Sequence, residues 1–64
     1  MYLIKLMKKS TYPDFDEIIE FNNEDKAHFA YLDFMNKPYY FGSFVKIVNG
    51  REENRASFCN SEFA

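Results

Sequence analysis

The chain has 64 residues, ten acidic and eight basic side chains, a net charge of −2, one histidine and one cysteine. A chain this short makes one domain with a small core, because it buries only about 60% of the surface its unfolded form exposes. The lone Cys59 excludes an internal disulfide, and its separation from His28 is not a zinc spacing. No run approaches the roughly 18 apolar residues of a membrane span.

What is left to support the core is aromatic packing, from eight Phe and five Tyr, together with self-association. In MYLIKLMKKS the lysines follow and interrupt the apolar residues, so the start does not read as a signal peptide. A soluble, cytoplasmic protein in a reducing compartment is expected.

Residues 2–9 alternate as a strand, with Tyr2, Ile4 and Leu6 on one side and Leu3, Lys5 and Met7 on the other. STYPD, residues 10–14, carries turn chemistry: Pro13 fixes its own φ and Asp14 can bond to nearby backbone. Residues 15–21 alternate again, placing Phe15, Ile19 and Phe21 opposite in sense to Asp16, Ile18 and Glu20. The two strands form an antiparallel hairpin.

A helix is predicted over 24–36. Asn22 or Asn23 serves as N-cap, and Glu24 and Asp25 lie at the positive end of the helix dipole. Ala27, Ala30, Tyr31, Phe34 and Met35 make the apolar stripe, and Asn36 with Pro38 ends the helix.

Asn49-Gly50 is the sharpest local signal, because both residues tolerate the positive φ of a two-residue type I′ turn. Centring a hairpin there sets Val48 opposite Arg51, Ile47 opposite Glu52 and Lys46 opposite Glu53. Continued without a break, it sets Phe44 opposite Arg55, Ser43 opposite Ala56 and Phe41 opposite Phe58. Phe41, Val45, Ile47, Ala56 and Phe58 then form the inner face, and Phe44 falls outside.

The elements define an α+β domain, a two-layer ββαββ unit over residues 1–59 with a frayed tail at 60–64. Its four-stranded antiparallel sheet has the order 2-1-3-4, which makes the connection through the helix a right-handed crossover, and the helix covers one face. The other face carries Leu3, Met7, Ile18, Phe44 and Val48 among charged residues. Such an apolar patch points to a homodimer or protein-partner surface, extended by Tyr39 and Tyr40 after Pro38. A Phe44→Glu change is expected to break that surface and leave the domain folded.

Nothing in the chain reads as catalytic machinery. His28 is an isolated helix residue, the serines lack a nucleophile-elbow pattern, and Gly42 and Gly50 cannot form a phosphate loop. No enzyme activity, cofactor or metal is expected. From residue 14 to residue 25 there are six acids, Asp14, Asp16, Glu17, Glu20, Glu24 and Asp25, and no base. That run can present negative charge to a basic, nucleic-acid-handling partner. The alternative is a single-strand nucleic-acid binder using the rings and lysines of the open sheet face, which the negative net charge disfavours.

In general character, a tiny, acidic, aromatic-rich chain with no active-site signature, the sequence is similar to accessory proteins of bacteriophages and mobile elements. That likeness rests on no specific residues. It implies a protein that binds and modulates, by inhibition, a host protein.

Overall fold

The computed structural model describes all of residues 1–64. The elements are β1 (Tyr2–Met7), β2 (Glu17–Phe21), α1 (Glu24–Met35), β3 (Phe41–Val48) and β4 (Arg51–Cys59). The four strands form one antiparallel sheet in the order β2-β1-β3-β4, and α1 packs on one face of it. This is the two-layer ββαββ, α+β architecture that the periodicities imply.

Local chemistry sets the helix ends. Asn23 is extended, at φ −121° and ψ 127°, and its Oδ1 accepts the Lys26 N–H at 3.1 Å. That satisfies one of the backbone donors a helix leaves free at its start. At the other end Asn36 Nδ2 donates to the Leu32 carbonyl at 3.2 Å, and Pro38 follows. The β3–β4 turn is also as expected: Asn49 and Gly50 have φ of 52° and 75°, and Val48, Ile47 and Lys46 face Arg51, Glu52 and Glu53.

The expected register holds as far as Val45 and breaks there. Val45 pairs with Asn54 and Phe44 with Ala56, which leaves Arg55 as the extra residue of a β-bulge. Phe58 then pairs with Gly42 instead of Phe41. A one-residue slip exchanges the two faces of a strand. Gly42 and Phe44 therefore face the helix, while Phe41 and Val45 face away, reversing the assignment made from an unbroken ladder. Phe44 is only 5% exposed and belongs to the central cluster with Ile4, Leu6, Ala27 and Tyr31.

The rings around Phe44 show why the slip suits the fold. Its centroid lies 5.7 Å from that of Tyr31 and 5.9 Å from that of Tyr2, and Tyr31 lies 5.8 Å from Phe58. These four rings tie β1, β3, β4 and the helix together. Gly42 is required beneath Phe58, because a Cβ there would collide with the Phe58 ring. Arg55, released from the ladder, reaches Glu24 at the start of α1 (3.5 Å) and Glu53 (4.0 Å).

The first hairpin differs too. β1 stops at Met7 and β2 begins at Glu17, so residues 8–16 form a loop longer than the expected turn. Asp16 fastens its ends: its Oδ2 accepts the Lys8 N–H at 2.6 Å and its own N–H donates to the Leu6 carbonyl at 2.8 Å. The loop folds over the sheet face that α1 leaves bare. Phe15, expected in a strand, packs there against Phe41 at 6.3 Å and beneath the Lys5 ammonium at 5.6 Å. The Thr11 N–H meets the Met7 sulfur at 3.3 Å, and Met7 is buried. At the end of the chain, where fraying was expected, the Asn60 N–H donates to the Tyr40 carbonyl at 2.7 Å and Ser61–Phe63 makes one 3-10 turn.

Only eight of the 64 residues are buried, so each core ring carries a large share of the stability. A domain of this length is stable by about 3–10 kcal/mol. Phe44→Ala is expected to cost about 3–5 kcal/mol by urea denaturation, and Phe44→Glu to unfold the domain outright instead of disturbing a surface. A folded, cooperative Phe44→Glu variant would contradict the placement of this ring.

Candidate interaction surfaces

The apolar set expected on the open sheet face does not form one surface. Leu3, Met7 and Ile18 do lie on that face, but Met7 is only 1% exposed beneath the loop and Leu3 is half-buried. Ile18, on the edge strand β2, is 57% exposed. Phe44 is in the core, and Val48 shares the helix side of β3 with it, near the hairpin end, half-buried. What the loop leaves on the open face is a shallow recess of about 320 Å³ lined by Phe15, Phe41, Ser43, Val45, Asn54 and Ser57. Within that lining Ser43 Oγ donates to Asn54 Oδ1 at 2.8 Å, and Lys5 pairs with Glu52 at 2.6 Å.

Tyr39 and Tyr40 are half-buried. Tyr39 packs edge-on against Phe34, with centroids 5.7 Å apart, and its hydroxyl donates to Glu17 Oε2. It thus closes the gap between the helix end and the edge strand, and only part of it faces outward.

The six acids are all exposed, yet half of them have work inside the fold. Asp16 caps the loop, Glu17 accepts from Tyr39 and Glu24 meets Arg55. Asp14, Glu20 and Asp25 make no side-chain hydrogen bond or ion pair. Asp14 and Glu20 border the edge strand, whereas Asp25 lies in the first turn of α1. Glu20 points to the open face and Glu17 to the helix side, so both faces of the free edge of β2 are acidic.

One exposed feature has no counterpart in the expected sites. Phe29, Leu32 and Met35 of α1 are 70%, 42% and 44% exposed. Met35, expected on the inward stripe, lies off it: that stripe runs through Ala27, Ala30, Tyr31 and Phe34. Phe29 and Leu32, three residues apart on the far side, are a second apolar stripe. The signal was present as a helix apolar on two sides, which a single inward stripe does not account for. His28, next to this stripe, leans toward Phe44 with centroids 6.4 Å apart, and Cys59 is exposed at the end of β4.

No protein-family model, curated protein or solved structure matches the chain. No helix is long and apolar enough to cross a membrane.

The Tyr39–Glu17 contact has a pH signature. The hydrogen bond to the Glu17 carboxylate, then burial, then the Glu17 and Asp16 charges push the Tyr39 phenol up to about 12. Burial also raises the Tyr31 phenol. Because the folded state holds the Tyr39 proton more tightly than the unfolded state, its contribution to stability is full below the ordinary phenol value near 10 and is lost as pH climbs through 12. Tyrosine ring resonances followed by NMR should show Tyr39 titrating near 12. Glu17→Gln should return it toward the ordinary range, leaving Tyr31 unmoved. An unshifted Tyr39 in the Gln variant would mean that burial alone holds the proton.

Proposed function

We propose that the protein is a small, non-enzymatic, cytoplasmic binding module that captures and inhibits another protein, in the manner of phage and mobile-element accessory proteins. The captured element is an extended basic segment that joins the free edge of β2. The observation that carries this reading is the edge itself: Glu17–Phe21 has a neighbour on one side only, exposes Ile18, and lies in a 12-residue run with six acids and no base.

An added strand takes its affinity from main-chain hydrogen bonds with backbone groups that β1 leaves unused, and its specificity from alternate side chains. Ile18 offers that strand an apolar contact, and the unpaired Asp14 and Glu20 offer it charge. A second copy of the chain would set the same acids against each other along this edge, so the edge selects a partner of opposite sign. Basic extended arms are characteristic of proteins that handle nucleic acid, which makes such a protein the target class.

Direct nucleic-acid binding has less support. It needs free rings on a basic face. Here Phe44 is in the core, Phe15 and Phe41 pack on each other, and Lys5 is held by Glu52.

Affinity capture from nuclease-treated lysate tests the reading. The wild type should retain one basic protein, and Asp14→Lys combined with Glu20→Lys should weaken that capture about tenfold at low salt and less at high salt. Equal recovery by the reversed variant, or material that disappears with nuclease, would contradict it.

A further inference from the structure

The outward face of α1 is a second surface, separate from the β2 edge. Phe29 and Leu32 sit at its centre, where they stand clear of the sheet on which Ala27 and Tyr31 are buried. At 3.6 residues per turn, Asp25 lies one turn before Phe29 and Asn36 one turn after Leu32, on the same line. Lys26 and Asp33, seven residues apart, flank that line on one side, and His28 and Met35, also seven apart, flank it on the other. All of these are exposed; apart from the core-leaning His28, the Asn36 side chain is engaged only by its Nδ2 bond to the Leu32 carbonyl at 3.2 Å and that of Asp33 only by an exposed bond to Lys37 at 3.1 Å.

We infer that this face is the homodimer contact: two copies of the protein pack α1 against α1, antiparallel, about a two-fold axis midway between Ala30 and Tyr31. The pattern is self-complementary about that point, as an isologous interface requires. Phe29 of one copy meets Leu32 of the other, Asp25 meets the Asn36 carboxamide, and Lys26 meets Asp33, each twice. The same-side flanks stay together under this rotation, so each Lys26 and Asp33 finds its opposite and His28 meets Met35.

Other arrangements fail on charge or polarity. Parallel packing sets Asp25 against Asp25 and separates Lys26 from Asp33 of the other copy. An antiparallel slide of four residues sets Leu32 against Asp25 or Asp33. The bond from Asp33 to Lys37 that would be exchanged is an exposed surface pair, which contributes little. Contact through one 12-residue helix, about 18 Å long, falls below the roughly 800 Å² per partner of a standard stable interface. The dimer is therefore a weak one that forms as concentration rises, and the small core gives it something to stabilise.

Sedimentation velocity from micromolar to millimolar concentration reads the inference directly. The mass should rise from monomer to dimer, and Phe29→Asp should keep the protein monomeric throughout with an unchanged far-UV circular dichroism spectrum. Lys26→Asp and Asp33→Lys should each weaken association about fivefold, while the double variant restores it. Positions 26 and 33 are two turns apart in one helix and cannot touch within a chain, so that rescue can arise only between chains. A protein that stays monomeric at millimolar concentration, a dimer indifferent to Phe29→Asp, or a double variant as weak as the singles would each overturn the inference.

Discussion

The seating of Phe44 beneath the helix is the contact on which the rest of the structure depends. It requires β3 to present Gly42 and Phe44 to α1, whereas the type I′ turn, extended without interruption, would present Phe41 and Val45. The bulge at Arg55 reconciles the two demands. It keeps the turn register at Val48–Arg51 and shifts the ladder by one residue before Phe44. Arg55, removed from the ladder, then anchors the first turn of the helix through Glu24. One extra residue in β4 thus fixes which side of the sheet is core, and ties that side to the helix start.

The inversion also determines how the open face is finished. With Phe41 and Val45 turned outward and Met7 beside them, that face has a small apolar centre of its own. The loop between β1 and β2 covers it, placing Phe15 on Phe41 and Thr11 on the Met7 sulfur. A one-helix, four-stranded domain would otherwise leave this side to solvent or to a partner. Covering it from within the chain moves the surfaces available for association elsewhere, to the outward side of α1 and the free edge of β2. The two have opposite character: the helix stripe is apolar and balanced in charge, which favours a second copy, and the edge is uniformly acidic, which favours a basic partner. The proposed module can therefore pair with itself and hold its target without the two contacts competing for residues.

The elements and their order were legible in the sequence because each has a local cause. The Asn23 cap, the Pro38 stop, the Asn49-Gly50 turn and the alternation of Tyr2, Ile4 and Leu6 all act within a few residues. The strand order followed from the preferred hand of a crossover. The bulge has no such local mark: Arg55 is an ordinary residue in the middle of the edge strand β4, and only the three-dimensional fit of Phe44 among Tyr2, Tyr31 and Phe58 selects the slip. The expected interaction set depended on that register. Phe44 and Val48 accordingly left the open face, and Met7 disappeared under a loop whose folding back depends on the distant Phe41. Ile18 and the six acids were placed by short-range pattern alone and are exposed as expected. The Phe29–Leu32 stripe is also written in the local sequence, three residues apart, but the longer inward stripe is by itself enough to predict the helix.

A nuclear Overhauser map of the β3–β4 ladder in solution tests the central claim most directly, because it reads register without any substitution. Cross-strand backbone contacts from Phe44 to Ala56 and from Val45 to Asn54, with Phe58 across from Gly42, are the predicted result. Contacts pairing Phe44 with Arg55 and Phe41 with Phe58 would contradict it, returning Phe44 to the open face and dissolving the account of both surfaces.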